Sequence, residues 1–309
     1  MIDPVVPPRL HPGDMIGLVS PSSPPKDDAL IMRGISALLA EGYYARLGWG
    51  VGARDGYLAG SDEERAKDLM AMFEDERIHA IFCTRGGYGA ARLLERLDYA
   101  YIRLHPKILV GFSDITALSL ALYAQAGLVT FAGPMVAAEF ASGILPMTAQ
   151  ALWDMLRHRR TSRQLPNCDE VQVMHRGVAE GTLLGGNLAV LCSLVGTPWL
   201  PDFQGAILFL EDVGESVYRI DRMLLQLKHA GILRGIAGVM LGSFTAIPED
   251  SPNRELATVL AEYFLPLGIP VLTGIPFGHI PEKITLPIGS RVRLDAERRK
   301  ITVLQPVVA

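Results

Sequence analysis

Short unbroken apolar runs alternate along the first half of the chain with longer stretches whose apolar residues recur every three or four positions. "MIGLVS" (15–20), "AIFCT" (80–84), "ILVG" (108–111) and "LVTFAG" (128–133) have the length and continuity of buried strands. Between them, "DDALIMRGISALLAEG" (27–42), "SDEERAKDLMAMFED" (61–75), "YGAARLLERL" (88–97) and "DITALSLALYAQAG" (114–127) carry helical spacing. Ser61 and the acids after it open the second of these, and Gly42 closes the first. Strands that are apolar throughout, rather than at alternate positions, are buried on both faces. The pattern therefore predicts an α/β fold whose N-terminal part is a doubly wound, mainly parallel sheet flanked by helices.

From about residue 142 the pattern changes. "SGILPM", the basic run "RHRRTSR" (157–163) and "RQLPNCDE" predict a connection holding one short helix. Beyond it, "GTLLGGN", "AILFLED", "VMLGSF" and "PVLTGIPFGH" predict strands, with helices at "YRIDRMLLQLKHAG" (218–231) and "RELATVLAEYFLPLG" (254–268). "RVRLDAERRKITVL" predicts a C-terminal hairpin. The expected organisation is an N-terminal α/β domain over 1–141, a linker over 142–175, and a smaller, β-rich α+β domain over 176–309.

Composition narrows the function more than the fold. The 309 residues are 49% hydrophobic and 20% charged, with a formal net charge of −4, so no electrostatic footprint for nucleic acid is present. Three scattered cysteines, Cys83, Cys168 and Cys192, form no C-x-x-C pair and imply neither a disulfide framework nor a zinc site. Cys83 and Cys192 sit in apolar patterns and read as packing residues. No run reaches the roughly 18 uncharged apolar residues of a membrane span, and "MIDPVVPPRLHPGD" lacks the charged and apolar regions of a signal peptide. The expected location is the cytoplasm.

In an open parallel sheet, ligands bind at the carboxyl ends of the strands. Three such ends carry notable loops, "SPSS" (20–23), "TRGGYG" (84–89) and "GFSD" (111–114), and all three should face one edge. A serine on a strand-to-helix corner projects from the sheet beside the free amides of the helix start, which is where an acyl-transfer nucleophile is placed. Locally, the stronger reading of Ser113 is a helix cap, because Ile115 stands where an elbow motif has its second glycine. The paired glycines Gly86 and Gly87 would let backbone amides approach a ligand, although "RGGYG" matches no complete phosphate-loop motif. Arg85 is either a carboxylate receptor or a surface ion-pair partner. Among seven histidines, His279 alone follows a strand into a Gly/Pro-rich loop and is the best available base; His79 and His105 precede strands, at the wrong edge. The apolar strand in "AILFLEDVGES" runs into Glu211 and Asp212, either of which could orient a histidine. Asn187 reads first as a helix cap and second as a substrate contact.

Seven motifs in one order then carry a resemblance over nearly the whole chain: "ARDGYLAGSDEERAKDLMAMF", "AIFCTRGGYGAARLLERLDY", "PKILVGFSDITAL", "TFAGPM", "GTLLGGNLAVLCSLVGTP", "FLEDVGESVYRIDRMLLQL" and "GIPFGHIPEKITLPIGSRVRLD". Together they resemble the LD-carboxypeptidase family of serine peptidases, which includes muramoyl-tetrapeptide carboxypeptidases and a microcin C immunity peptidase. The resemblance implies Ser113 as nucleophile, His279 as base, Glu211 as its orienting acid, and the amides of Gly87 and Asp114 as oxyanion hole. It also implies a homodimer that needs no metal or other cofactor, and hydrolysis of the L,D bond before a C-terminal D-alanine in murein tetrapeptides. Arg85 and Asn187 are the candidate contacts to a peptide with a free C-terminal carboxylate. A peptidyl-nucleotide antibiotic is the alternative substrate, and a non-enzymatic small-ligand-binding protein is the alternative class. The chain departs from the family at "LGWGVG" (47–52), where a Pro-His-type pair is expected, and in having "GFSD" for "GYSD".

Overall fold

The computed structural model describes residues 3–166, 170–248 and 254–309, so Cys168 lies outside the described residues. Five strands of the first half, β1 (Met15–Val19), β2 (Tyr44–Leu47), β3 (Ile78–Cys83), β4 (Ile108–Val110) and β5 (Thr130–Ala132), pair in parallel. Helices α1 (Asp28–Ala40), α2 (Asp62–Glu74), α3 (Tyr99–Leu104) and α4 (Thr116–Ala126) connect them. Strand β1 is a central one, neighbouring both β2 and β3, as in a doubly wound sheet. The Ser61 signal is a complete capping box: Glu64 N donates to Ser61 Oγ (3.2 Å) and Ser61 N donates to Glu64 Oε2 (2.9 Å).

The stretch 142–175 is more than a connection. Helix α5 (Pro146–Arg157) buries Trp153 against Tyr43 in a stacked pair 4.9 Å apart, which joins it to the first core. The short strands β6 (Arg163–Gln164) and β7 (Gln172–His175) become the two edges of the second sheet. That sheet also contains β8 (Val178–Asn187), β9 (Ile207–Val213), β10 (Gly238–Thr245) and β11 (Val271–Thr273). Helices α6 (Leu188–Ser193), α7 (Val217–His229), α8 (Ile232–Gly235) and α9 (Leu256–Phe264) fall between them. The run β8 to β11 is parallel, so the second half has a parallel centre with antiparallel flanks. The C-terminal hairpin forms from β13 (Arg291–Asp295) and β14 (Lys300–Val303). Strand β12 (Leu286–Ile288), however, leaves the second half and pairs antiparallel with β5 in the first sheet. A boundary at 176 therefore divides neither the core nor the sheets cleanly.

Two local expectations shift for local reasons. "YGAARLLERL" tightens into a 3-10 turn over Ala90–Arg96, because Gly87 and Gly89 both take positive φ and bring the chain into Ala90 from a turn. The strand expected over 128–133 shortens to Thr130–Ala132, since Val129 N donates to Val5 O of the N-terminal segment.

Helix α4 positions the site. It is apolar on every face, and a helix of that kind must be covered on all sides. It packs against β5, β8, β12 and α6, with eight of its residues buried, and so lies between the two halves of the molecule. Whatever stands at its N-terminus stands at their junction. Among the described residues, no helix is long and apolar enough to cross a membrane.

Candidate active site

Strand β4 ends at Val110, and Gly111 and Phe112 lead to Ser113, which opens a single 3-10 turn before α4. Ser113 has φ 64°, a left-handed conformation that costs a non-glycine residue about 1–3 kcal/mol and that surrounding structure must hold in place. Its hydroxyl makes no capping bond to the helix. The cap reading, the stronger one on local sequence, thus gives way to a half-buried corner. Gly86 explains how the β3 loop comes so close: a Cβ there would lie 2.9 Å from Ser113 Cβ and 3.4 Å from Asp114 N.

The three loops meet as their positions at the sheet edge require. Ser22 Oγ and Ala90 N both donate to Asp114 Oδ2, at 2.6 and 2.8 Å, so one buried carboxylate ties the loops after β1, β3 and β4 together. Burial pushes the Asp114 carboxyl above its usual range, against the pull of those two donors and of Arg65. Ser23 N donates to Gly86 O (3.3 Å) and Tyr88 N to Ser23 Oγ (3.2 Å), which fixes the Gly86-Gly87 turn. The amides at a helix start lack intrahelical partners, and Asp114 is the second residue of such a start. Gly87 follows Gly86 in the loop that comes up against this start.

His279 arrives from the second half. Its Nε2 lies 3.0 Å from Ser113 Oγ and its Nδ1 lies 2.7 Å from Glu211 Oε2. An ionised carboxylate can only accept, so the Nδ1 proton points to Glu211 and Nε2 is left to accept from the serine hydroxyl. The Glu211 side chain is 3% exposed and that of His279 is 23% exposed, which places the acid inside and the base at the opening. Of the two carboxylates the sequence offered for this role, Glu211 takes it. Asp212 shares the Asn187 Nδ2 donor with Glu211 and otherwise accepts from Ala189 N (2.9 Å) at the start of α6 and from Val213 N (2.8 Å). Burial raises the Asp212 pKa, opposed by those donors and by Asn187.

Asn187 is held by several hydrogen bonds and lines the small cavity beside Ser113 and Glu211. Its Oδ1 accepts from Val190 N (3.1 Å) as the cap of α6, while Nδ2 donates to Glu211 Oε1 (3.2 Å) and Asp212 Oδ1 (2.9 Å). The cap expectation for Asn187 fits this. Arg85 is half-buried; its Nη1 donates to Pro24 O (3.0 Å), and it is in no ion pair among the described residues. Phe112 packs on His279 with ring centroids 5.0 Å apart.

Sequence reasoning missed Glu139 and Lys283. Both line a cleft of about 550 Å³ beside His279, together with Phe112, Ser142 and Ile144. A lysine in "HIPEKITLP" carries no local sign that it is buried. Among the described residues, no group of three or more His, Cys, Asp or Glu side chains could hold a metal ion.

Comparison with known proteins matches the two halves of the chain separately. The LD-carboxypeptidase N-terminal domain matches residues 16–133, which include Ser113, and the LD-carboxypeptidase C-terminal domain matches 180–294, which include Glu211 and His279. A Bacillus subtilis protein described as a probable murein peptide carboxypeptidase is 36% identical over 96% of this chain and 93% of its own length. The murein tetrapeptide carboxypeptidase of Pseudomonas aeruginosa is 35% identical over 92% of this chain and 94% of its own. The microcin C7 self-immunity protein MccF, solved in complex with aspartyl sulfamoyl adenosine, superposes with a TM-score of 0.92 at 28% identity, covering 99% of this chain and all of that one.

Proposed function

The chain belongs to the LD-carboxypeptidase family, and from that premise we propose that it removes a C-terminal D-alanine from murein tetrapeptides by serine acyl transfer. The observation that carries this reading is the hydrogen-bonded series Ser113 Oγ, His279 Nε2 and Nδ1, and Glu211 Oε2, with separations of 3.0 and 2.7 Å. His279 takes the proton of Ser113 as the hydroxyl attacks the carbonyl that precedes the terminal residue. Glu211 holds the imidazole in the required tautomer and stabilises the imidazolium that forms. The amides of Gly87 and Asp114 donate hydrogen bonds to the carbonyl oxygen as negative charge develops on it. His279 next protonates the leaving amine, the C–N bond breaks, and water activated by the same imidazole releases the acyl group from Ser113. Arg85, one residue before the Gly86-Gly87 turn, is the proposed receptor for the substrate's free carboxylate.

The same reading makes the protein a cytoplasmic homodimer that acts in the recycling of cell-wall peptides. A second substrate is favoured by the likeness to MccF over 99% of the chain: an aminoacyl or peptidyl group linked to a nucleotide. Against it, among the described residues that line the cleft beside His279, Phe112 is the one phenyl, tyrosyl or indole ring, and it is already packed on that imidazole.

The experiment is a mass-spectrometric assay of murein tetrapeptide and of aspartyl sulfamoyl adenosine, each with the unaltered protein and with Ser113→Ala. D-alanine release that the variant lowers by on the order of 10⁵-fold or more is expected. Hydrolysis of the nucleotide conjugate alone would transfer the chain to the second reading, and equal turnover by Ser113→Ala would end the serine mechanism.

A further inference from the structure

We propose that the buried ion pair of Lys283 and Glu139 is a positioning latch that holds the His279 loop in register with Ser113, an inference that rests on the triad reading above. Lysine is almost never fully buried unless paired. The Lys283 side chain is 3% exposed and that of Glu139 15%. Lys283 Nζ donates to Glu139 Oε1 at 2.6 Å and stands 3.9 Å from the ring centroid of Phe112, the residue next to Ser113. The other neighbour of that ring is the imidazole of His279. One ammonium group thus links an acid of the first half, the residue preceding the serine, and the loop that carries the histidine.

The far end of the latch is fixed. Glu139 belongs to a π-helical turn over Val136–Phe140, a conformation that is rare in helices and concentrated at functional sites. Its second oxygen accepts from Met135 N (2.8 Å), and Ala137 N donates to Thr84 O (2.8 Å) at the carboxyl end of β3. Gly34 lets α1 press its backbone on the carbonyl of Val136. The near end is held as well: Lys283 N donates to Thr148 Oγ1 (2.8 Å), a buried hydroxyl of α5.

The His279 loop needs such a hold. Residues 274–285 lie between β11 and β12, which belong to different sheets. Backbone bonds from Ile275 N to Leu241 O and from Ser243 N to Phe277 O tie the loop to β10 as far as Phe277. The backbone bonds that Ile280 N and Ile284 N donate, to Gly278 O and Pro276 O, stay within the loop, and Thr245 Oγ1 donates to His279 O at 3.5 Å. A buried ion pair contributes little to stability over an apolar pair of the same shape, but it does fix the relation of the two segments it joins. Proton transfer between Ser113 and His279 is sensitive to that relation, since a displacement of about 1 Å costs about 100-fold in rate.

The test uses Glu139→Gln combined with Lys283→Met, which removes both charges and leaves no buried ion without a partner. Four quantities are read on the full chain: the rate of Ser113 labelling by a fluorophosphonate, kcat and KM for murein tetrapeptide, and the thermal melt. The double variant should melt cooperatively, while labelling rate and kcat fall together by about 100-fold and KM stays within about threefold. Labelling at the unaltered rate, a change confined to KM, or a loss that only follows the unfolded fraction would overturn the latch. If the unaltered protein itself fails to label at Ser113, the triad reading falls first.

Discussion

Gly278 crosses over the carboxylate of Glu211 so closely that a Cβ on the glycine would lie 2.8 Å from Oε2, the oxygen that faces His279. The same residue has φ 108°, which L side chains rarely adopt. Both constraints act one residue before the proposed base, and together they explain why the loop reads "FGH" there. Gly278→Ala should therefore carry about 1–3 kcal/mol of backbone strain and push the imidazole away from the acid. The expected result is a kcat lower by about 100-fold with a melt reduced by only several degrees. A variant with unaltered kcat would show that the loop has another way over Glu211.

Asn187 reaches both carboxylates and caps α6 at once, so its removal should be felt in two separable ways. Asn187→Ala loses the bond to Val190 N, worth about 1–2 kcal/mol of helix capping. It also frees Glu211 Oε1 to turn away from the line to His279. Denaturant unfolding should report the first loss, and a fall in kcat of about tenfold or more at little-changed KM the second. A rise in KM alone would return Asn187 to the role of substrate contact.

The Asp114 carboxyl provides a pH signature. Burial raises its pKa in the folded protein above the ordinary 3.8, so between 3.8 and that raised value the native state binds more protons than the unfolded one. The stabilising contribution of this group is complete below 3.8 and is lost as pH rises through the folded pKa. Asp114→Asn has no such titration. Its unfolding free energy should accordingly gain on that of the unaltered protein as pH rises through this window, and the difference should level off above it. Urea titrations at a series of pH values from about 4 to about 7 measure this, and a difference that does not change with pH would contradict it.

The legible parts of the fold and site are those with a local cause. Unbroken apolar strands, the Ser61 capping box and the terminal hairpin are written in short windows, and so is the placing of Ser113 and Glu211 at carboxyl ends of strands. What stayed hidden depends on partners far along the chain. The three residues of β12 have no signal of their own, and their place beside β5 follows only from the surface that α4 leaves to be covered. The stretch around Trp153 reads as a connection because it holds one short helix between Gly/Pro-containing and basic segments, yet Tyr43 and Phe82 supply the aromatic faces on which the ring stacks. Lys283 looks like a solvated loop lysine until Glu139 and Phe112 are brought to it. The resemblance names Glu211 over Asp212, but the local sequence alone leaves both adjacent carboxylates open, and their contacts differ only once the His279 loop and the start of α6 are brought to β9.

That choice yields the sharpest test of the site. Glu211 and Asp212 are adjacent, both buried, and both bonded to Asn187, so a general effect of burial or local charge would make them equivalent. Their other partners differ: Glu211 faces His279 Nδ1, whereas Asp212 accepts from the backbone at Ala189 and Val213. Glu211→Gln replaces an acceptor with an amide that can present its N–H₂ to Nδ1, which favours the tautomer whose Nε2 carries a proton and cannot take one from Ser113. A fall in kcat of about 10⁴-fold is expected, with the fold intact. Asp212→Asn keeps an oxygen for the start of α6 and removes a buried charge, so kcat should stay within about tenfold while any penalty appears in stability. Parallel measurement of kcat and of urea unfolding on the two variants separates them. Equal losses of kcat would mean that the carboxylates act as one electrostatic unit and that the 2.7 Å contact to His279 is not what distinguishes Glu211.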